Sequence, residues 1–215
     1  MRGCPDYSAL KASKSALFDA AKRWNAAAVK ALLKAAPELA RATDPKGRTA
    51  LHIACAAPSS RRLGEASGIA TVTALLNAGA ALEAQVPMPA EEGDFRANAV
   101  WYAASRGRNL PLVKFLLRRG CDASYSLWTA VFQDDVALLR ALLAAKPRLN
   151  LRAHGETPIF YAARTQRLKT LDLLIAAGAD PRIKDERGRD AVEIAKARRL
   201  PKDVVARLEK LKMSS

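Results

Sequence analysis

A seven-residue phrase that opens a helix recurs along this chain and sharply limits what it can fold into. Thr157–Ala163 reads Thr-Pro-Ile-Phe-Tyr-Ala-Ala, Thr49–Cys55 reads Thr-Ala-Leu-His-Ile-Ala-Cys, and Asn98–Ala104 reads Asn-Ala-Val-Trp-Tyr-Ala-Ala. Looser copies start at Ser15, Tyr125 and Asp190, so successive starts lie 34, 49, 27, 32 and 33 residues apart. An apolar segment follows each phrase: Ala28–Leu33, Thr71–Leu76, Leu112–Leu117, Leu138–Leu143, Thr170–Ile175 and Asp203–Leu208. Its offset from the phrase start is 13 or 14 residues except in the second copy, where it is 22. The apolar residues of these segments fall at helical spacing, and one helix pair cannot bury such a face alone. Stacking of successive pairs supplies the missing core. The alanine pairs Ala103-Ala104 and Ala162-Ala163 are small enough to let neighbouring pairs approach closely.

Gly79, Gly120 and Gly178 follow second segments, where a left-handed residue commonly ends a helix. Turns come next, as in Asp44–Thr49 and Asp185–Asp190. On these residues the chain resembles the ankyrin-repeat family over roughly Ser15–Lys212. In that family a β-turn precedes two antiparallel helices, and Thr-Pro-Leu-His opens the first. Thr157-Pro158 is the intact Thr-Pro pair here, while Thr49–His52 keeps the histidine without the proline. The resemblance implies an all-α, ankyrin-like solenoid of helix-turn-helix repeats with short β-turn fingers. Residues 15–212 are expected to form a single domain of about six repeats, starting near 15, 49, 98, 125, 157 and 190. A disordered or capping lead is expected over 1–14, a tail over 213–215, and insertions over 57–68 and 83–95.

Half of the 215 residues are apolar, ample for a continuous core. No apolar run approaches the roughly 20 residues that span a bilayer. Met1–Leu10 lacks the charged-then-apolar profile of a secretory signal. A cytoplasmic location without a membrane partner is therefore expected, and the Ala- and Arg-rich usage is that of a GC-rich bacterial genome. Cys4, Cys55 and Cys121 are an odd, scattered set without CxxC spacing, so reduced thiols are expected, with Cys55 and Cys121 buried between repeats. The two histidines, His52 and His154, are too far apart along the repeats to share a site. No nucleophile stands beside a histidine, no glycine-rich run follows a strand, and no acidic cluster has metal-loop spacing. No catalytic residue, cofactor or metal is expected. His52 is expected to hydrogen-bond and steady the neighbouring turn, and His154 to face solvent at a turn tip.

The resemblance implies protein binding along a concave face built from turn tips and first-helix ends. Copy by copy, that face carries Lys22, Arg23 and Trp24; Lys46 and Arg48; Phe95, Arg96, Ser105 and Arg106; Phe132 and Gln133; His154, Glu156, Arg164 and Thr165; and Arg187, Arg189 and Arg198. The set is mostly cationic with aromatics among it, the residue types that dominate interface energy. Trp24 and Phe132 have the alternative of folding inward against helix ends, and the charged residues that of keeping the stack soluble.

A net charge of +15, from 36 basic and 21 acidic residues, favours capture of an acidic protein and makes nucleic acid a second candidate. The excess is spread as +5 over 1–47, +1 over 48–110, +5 over 111–185 and +4 over 186–215. No nucleic-acid motif is present, and aromatics are too sparse for a stacking platform. The near-neutral stretch holds both insertions. Its acidic tip, Glu91, Glu92 and Asp94, either meets a basic spot on the partner, shields the groove, or is a solvated loop. Only 13 residues separate Leu112 from Tyr125, so the turn before the fourth copy is nearly absent and a notch in the face is expected near Phe95, Arg106 and Phe132. The preferred reading is a non-enzymatic binder, monomeric when free, that grips a folded acidic protein. Its specific version is an inhibitor such as an immunity protein against a toxin or effector. A nucleic-acid binder, an adaptor and a host-directed effector are the alternatives.

Overall fold

The computed structural model describes residues 12–58, 64–87 and 95–214. They form an all-α solenoid of helix-turn-helix repeats, and the chain gathers into two compact units, one of residues 1–86 with 98–121 and one of 87–97 with 122–215.

In the first unit the pairs are α1 (Lys14–Lys22) with α2 (Ala26–Ala35), α3 (Ala50–Ala56) with α4 (Glu65–Asn77), and α5 (Ala99–Ser105) with α6 (Leu110–Arg118). First helices pack in the order α1, α3, α5 and second helices in the order α2, α4, α6, giving two layers. Small side chains fill the first layer, with Ala21, Ala54, Cys55, Ala103 and Ala104 almost fully buried. Val29, Leu32, Val72, Leu75, Val113 and Leu116 carry the apolar stripe of the second. Burial of each such branched side chain contributes about 1.5–3 kcal/mol.

The second unit repeats the scheme with α7 (Leu127–Gln133) and α8 (Val136–Ala144), α9 (Pro158–Arg164) and α10 (Leu168–Ala176), and α11 (Ala191–Ala197) and α12 (Lys202–Ser214). Helices α7, α9 and α11 form its first layer, and α8, α10 and α12 its second. Helix α12 runs through Ser214, so residues 213 and 214, expected as a tail, are helical. Its long side chains from Lys210 to Met213, none branched at Cβ, are good helix formers.

One backbone device joins the helices of most pairs. Trp24, Arg108, Asp134, Gln166 and Arg199 are left-handed, with φ between 46° and 57°. In three pairs the next residue caps the second helix: Asn25, Asn109 and Asp135 accept the backbone N–H of Ala28, Leu112 and Leu138. A left-handed non-glycine residue costs about 1–2 kcal/mol, which the cap and the packing of the following helix offset.

Trp24 is therefore not a rim residue. It is only 3 % exposed, and its indole N–H donates to the Ala54 carbonyl at 2.8 Å. Gly68 makes room for it, since a Cβ there would sit 3.0 Å from the indole ring. Gly68 belongs to α4, and this corrects the extent of the first insertion. Residues 65–68 are helical, and α4 has 13 residues where α2 has 10 and α6 has 9. Part of the extra length thus lengthens a helix instead of forming a loop.

The turns repeat as well. Asp44 accepts the N–H of Lys46 and Arg48 and pairs with the Arg48 guanidinium at 2.7 Å, while Gly47 takes φ +76°. Asp185 does the same with Arg187 and Arg189, and Gly188 takes φ +75°. Before the fourth copy, where the chain is short, a single 3-10 turn over Ser124–Ser126 replaces the finger, with Asp122 accepting from the backbone and hydroxyl of Ser124. Strands β1 (Val86–Pro87) and β2 (Arg96–Ala97) pair as a two-residue ladder. Glu91, Glu92, Asp94 and Cys4 lie outside the described residues. Cys55 and Cys121 are buried, and burial pushes both thiols well above their usual range.

His52 fills the role its position implied. Thr49 N–H donates to Nδ1 at 3.0 Å, which leaves the proton on Nε2 to donate to the Ala84 carbonyl at 2.9 Å. Burial is the main influence on the ring and holds its pKa below 6.5. The unfolded chain thus takes up a proton that the folded one resists. Stability from this group is fully present above about pH 6.5 and is lost as pH falls through the lower folded value. Melting temperature should drop between pH 7.5 and 5, and His52→Gln should remove that increment while costing about 1 kcal/mol at pH 7.5 through the lost hydrogen bonds. A second test is steric. A Cβ on Gly107 would lie 2.4 Å from the Cys55 carbonyl oxygen, so Gly107→Ala should cost about 1–3 kcal/mol in urea unfolding, the scale of overpacking.

Candidate protein-binding site

In the second unit the fifth and sixth copies place their turns side by side. Ala153 and Glu156 close one turn as an isolated β-bridge, with His154 and Gly155 both at positive φ, 54° and 72°. Two successive positive φ values are the signature of the tight turn that joins antiparallel segments. Gly155 is required by the neighbouring turn too, because a Cβ there would stand 2.8 Å from a Glu186 carboxylate oxygen. Thr157 then caps α9 by accepting the Phe160 N–H, and Pro158 takes the first helical position. Asp190 caps α11 in a reciprocal box with Glu193 and also receives Lys212. Burial alone would raise the Asp190 pKa, but the Lys212 ammonium and the helix N–H groups hold it below the usual carboxylate value.

Between these turns and the ends of α9 and α11 lies an open cavity of about 410 Å³, lined by His154, Gly155, Glu156, Arg164, Asp185, Glu186, Arg187, Arg189 and Arg198. Six of the residues nominated from sequence, His154, Glu156, Arg164, Arg187, Arg189 and Arg198, meet there. Arg164 reaches back to Glu156 at 2.8 Å and lies 5.2 Å over the Tyr161 ring. Arg189 is held by Asp185. Arg187 and Arg198 are exposed, and neither makes an ion pair among the described residues. The cavity is therefore framed by two fixed ion pairs and offers two free guanidinium groups.

Phe95, expected on the rim, is only 3 % exposed. It packs edge-on against Tyr125 and Trp128, and the His154 imidazole stacks over it with centroids 5.3 Å apart. The exposed His154 is thus a cover for Phe95 as well as a turn residue. Arg96 donates to the Phe95 carbonyl. Phe132, at 61 % exposed, is a true surface aromatic, and Gln133 ends α7 beside it.

Other nominated residues belong to the first unit. Arg23 pairs with Asp19 and Arg48 with Asp44, Lys46 is exposed at its turn, and Arg106 lies 5.7 Å over Trp101. A cavity of about 770 Å³ there is lined by Phe18, Ile53, Ala56 and Pro58, with Lys22, Arg23 and Arg48 among the charged residues at its edge. Sequence reasoning missed Phe18 and Ile53 because an apolar residue in a first helix reads as core. Both are only half-buried. Among the described residues no group of histidine, cysteine and carboxylate side chains is placed to hold a metal, and no helix is long and apolar enough to cross a membrane.

Residues 100–185 match the family model for ankyrin repeats (three copies). Solved structures with the same fold include an ankyrin repeat domain from Acinetobacter baumannii AYE, 24% identical, with 94% of this chain and 98% of that one covered at a TM-score of 0.67. The ankyrin repeat protein EF0377 is 20% identical, with 94% and 98% covered and a TM-score of 0.64. A chain of the complex between the predatory endopeptidase Bd0816 of Bdellovibrio bacteriovorus and the immunity protein Bd3460 is 25% identical, with 93% and 99% covered and a TM-score of 0.66. The ankyrin fold is typically a non-enzymatic scaffold for protein–protein interaction, and this chain has that fold, with residues 100–185 matching its repeats.

Proposed function

We propose that this protein grips an acidic patch on a folded protein and acts by occluding it, as an inhibitor of the immunity type. The observation that carries this reading is the pair of exposed guanidinium groups, Arg187 and Arg198, in a cavity whose other arginines are already fixed by Glu156 and Asp185. Two arginines without internal partners can each take a carboxylate in a bidentate, charge-assisted contact. The fixed pairs hold the cavity walls, so the side-chain entropy lost on binding falls mainly on Arg187 and Arg198. Exposed Phe132 supplies an apolar anchor in the same unit. The likeness to a chain from a complex that contains an immunity protein supports the inhibitor version. On this reading the protein works in the cytoplasm of a bacterium, as a monomer until it meets its target.

The test is affinity capture from a native lysate of the source cells, with the captured protein identified by mass spectrometry. Arg187→Glu with Arg198→Glu should lower capture about thirtyfold or more, the scale of losing hot-spot contacts of about 2 kcal/mol. Helical circular dichroism and melting should stay unchanged, because neither side chain holds the fold. Capture that survives the double substitution would remove this cavity from the function.

A further inference from the structure

The outer wall of the first unit carries a different charge pattern from its turns. On α2, Lys30 and Lys34 are exposed, and on α6, Lys114 and Arg118. None of the four makes an ion pair or hydrogen bond among the described residues. Helix α4 packs between α2 and α6 and presents Ala70, Thr73 and Asn77 at its surface. Thr73 holds the register position of Lys30 and Lys114, and Asn77 that of Lys34 and Arg118. The wall is thus two cationic ridges with a neutral strip between them. Glu65, at the start of α4, is the one carboxylate in the three helices. This is not a property of the repeat itself. In the second unit the corresponding positions include Asp172, paired with Arg207, and Glu209, paired with Lys196. Nor do the turn arginines of the first unit show it, since Arg23 and Arg48 are paired with carboxylates.

We infer that this wall is a second binding surface, for double-stranded nucleic acid held through its phosphates and without regard to sequence. Cations four residues apart on a helix stand about 6 Å apart along its axis. The ridges are roughly 16–20 Å apart, two helix spacings of about 8–10 Å. That separation straddles a duplex major groove about 12 Å wide, so each ridge meets one phosphate strand. Thr73 and Asn77 are the only side chains of the strip equipped to read a base edge, so the contacts are mainly electrostatic. A single strand is less suited, because no exposed aromatic on the wall offers a stacking platform. An anionic bilayer is less suited too, because the exposed large hydrophobics among the described residues, Phe132 and Met213, are both outside this unit.

The inference is independent of the protein-binding reading, since it uses the opposite layer of helices and another unit. Its test is fluorescence anisotropy of the full chain with a labelled 20-base-pair duplex of arbitrary sequence. Four neutralised phosphates predict a log–log salt slope of about −3.6, or about a hundredfold loss of affinity between 50 and 200 mM salt. The variant K30Q/K34Q/K114Q/R118Q should lose about a hundredfold at 50 mM and most of that slope. The charge-matched variant K169Q/K184Q/K202Q/K210Q, altered at exposed lysines of the second unit, should stay within about threefold. Equal losses in the two variants would overturn the inference, since overall charge alone would then be acting. So would an absence of binding at 50 mM, or tighter binding to phosphatidylserine-containing vesicles than to the duplex.

Discussion

Close stacking of successive first helices on very small side chains is the constraint on which the other features depend. Ala54 and Cys55 in α3, Ala103 and Ala104 in α5, Ala162 and Ala163 in α9, and Ala191 and Ala195 in α11 are all buried to within 2 % of completely. Small residues bring backbones together, close enough that the Cys55 carbonyl approaches Gly107 with no space for a methyl group. The same approach sets the turns beside one another, so that Glu186 of one turn lies over Gly155 of the next. A surface cavity assembled from several turns follows from the packing of alanines beneath it. Larger side chains in that layer would separate the turns before they unfolded the helices.

Charge is arranged on top of this scaffold in a way the net value of +15 conceals. Acidic residues are concentrated where backbone N–H groups need acceptors, at turns and helix starts: Asp44, Asp122, Asp135, Asp185 and Asp190 all accept them or cap a helix. Once there, Asp44 and Asp185 also neutralise the nearest arginine. Such partly exposed pairs add at most about 1 kcal/mol each to stability, yet they decide where positive potential remains. Among other places, it remains on Arg187 and Arg198 beside the turns of the second unit, and on the backs of α2 and α6 in the first.

Much of the fold was legible because a repeat announces itself by period, and because caps and left-handed glycines have local causes. Thr157, Asp190 and the turn glycines Gly47 and Gly188 could be placed from neighbours within a few residues. The role of His52 was legible for the same reason. What escaped the sequence depends on contacts between distant segments. Phe95 looks like an exposed insertion residue until Tyr125, Trp128 and His154 are folded around it. Trp24 looks like a rim aromatic until Gly68 supplies the space, and Gly68 looked like part of a loop until α4 proved longer than its counterparts. The basic face was legible in its residues and not in its charge. Whether Arg164 or Arg187 carries a free guanidinium is fixed by one carboxylate, Glu156, brought up by a turn.

The central claim is that the protein works by holding another protein in the turn cavity of its second unit. Hydrogen–deuterium exchange of the chain alone and with its captured partner tests it most directly. Slowed exchange in the peptides covering residues 154–164 and 185–198, with α2 and α6 unchanged, is the result this account predicts. Unchanged exchange in those peptides, with protection confined to α2 and α6, would contradict it.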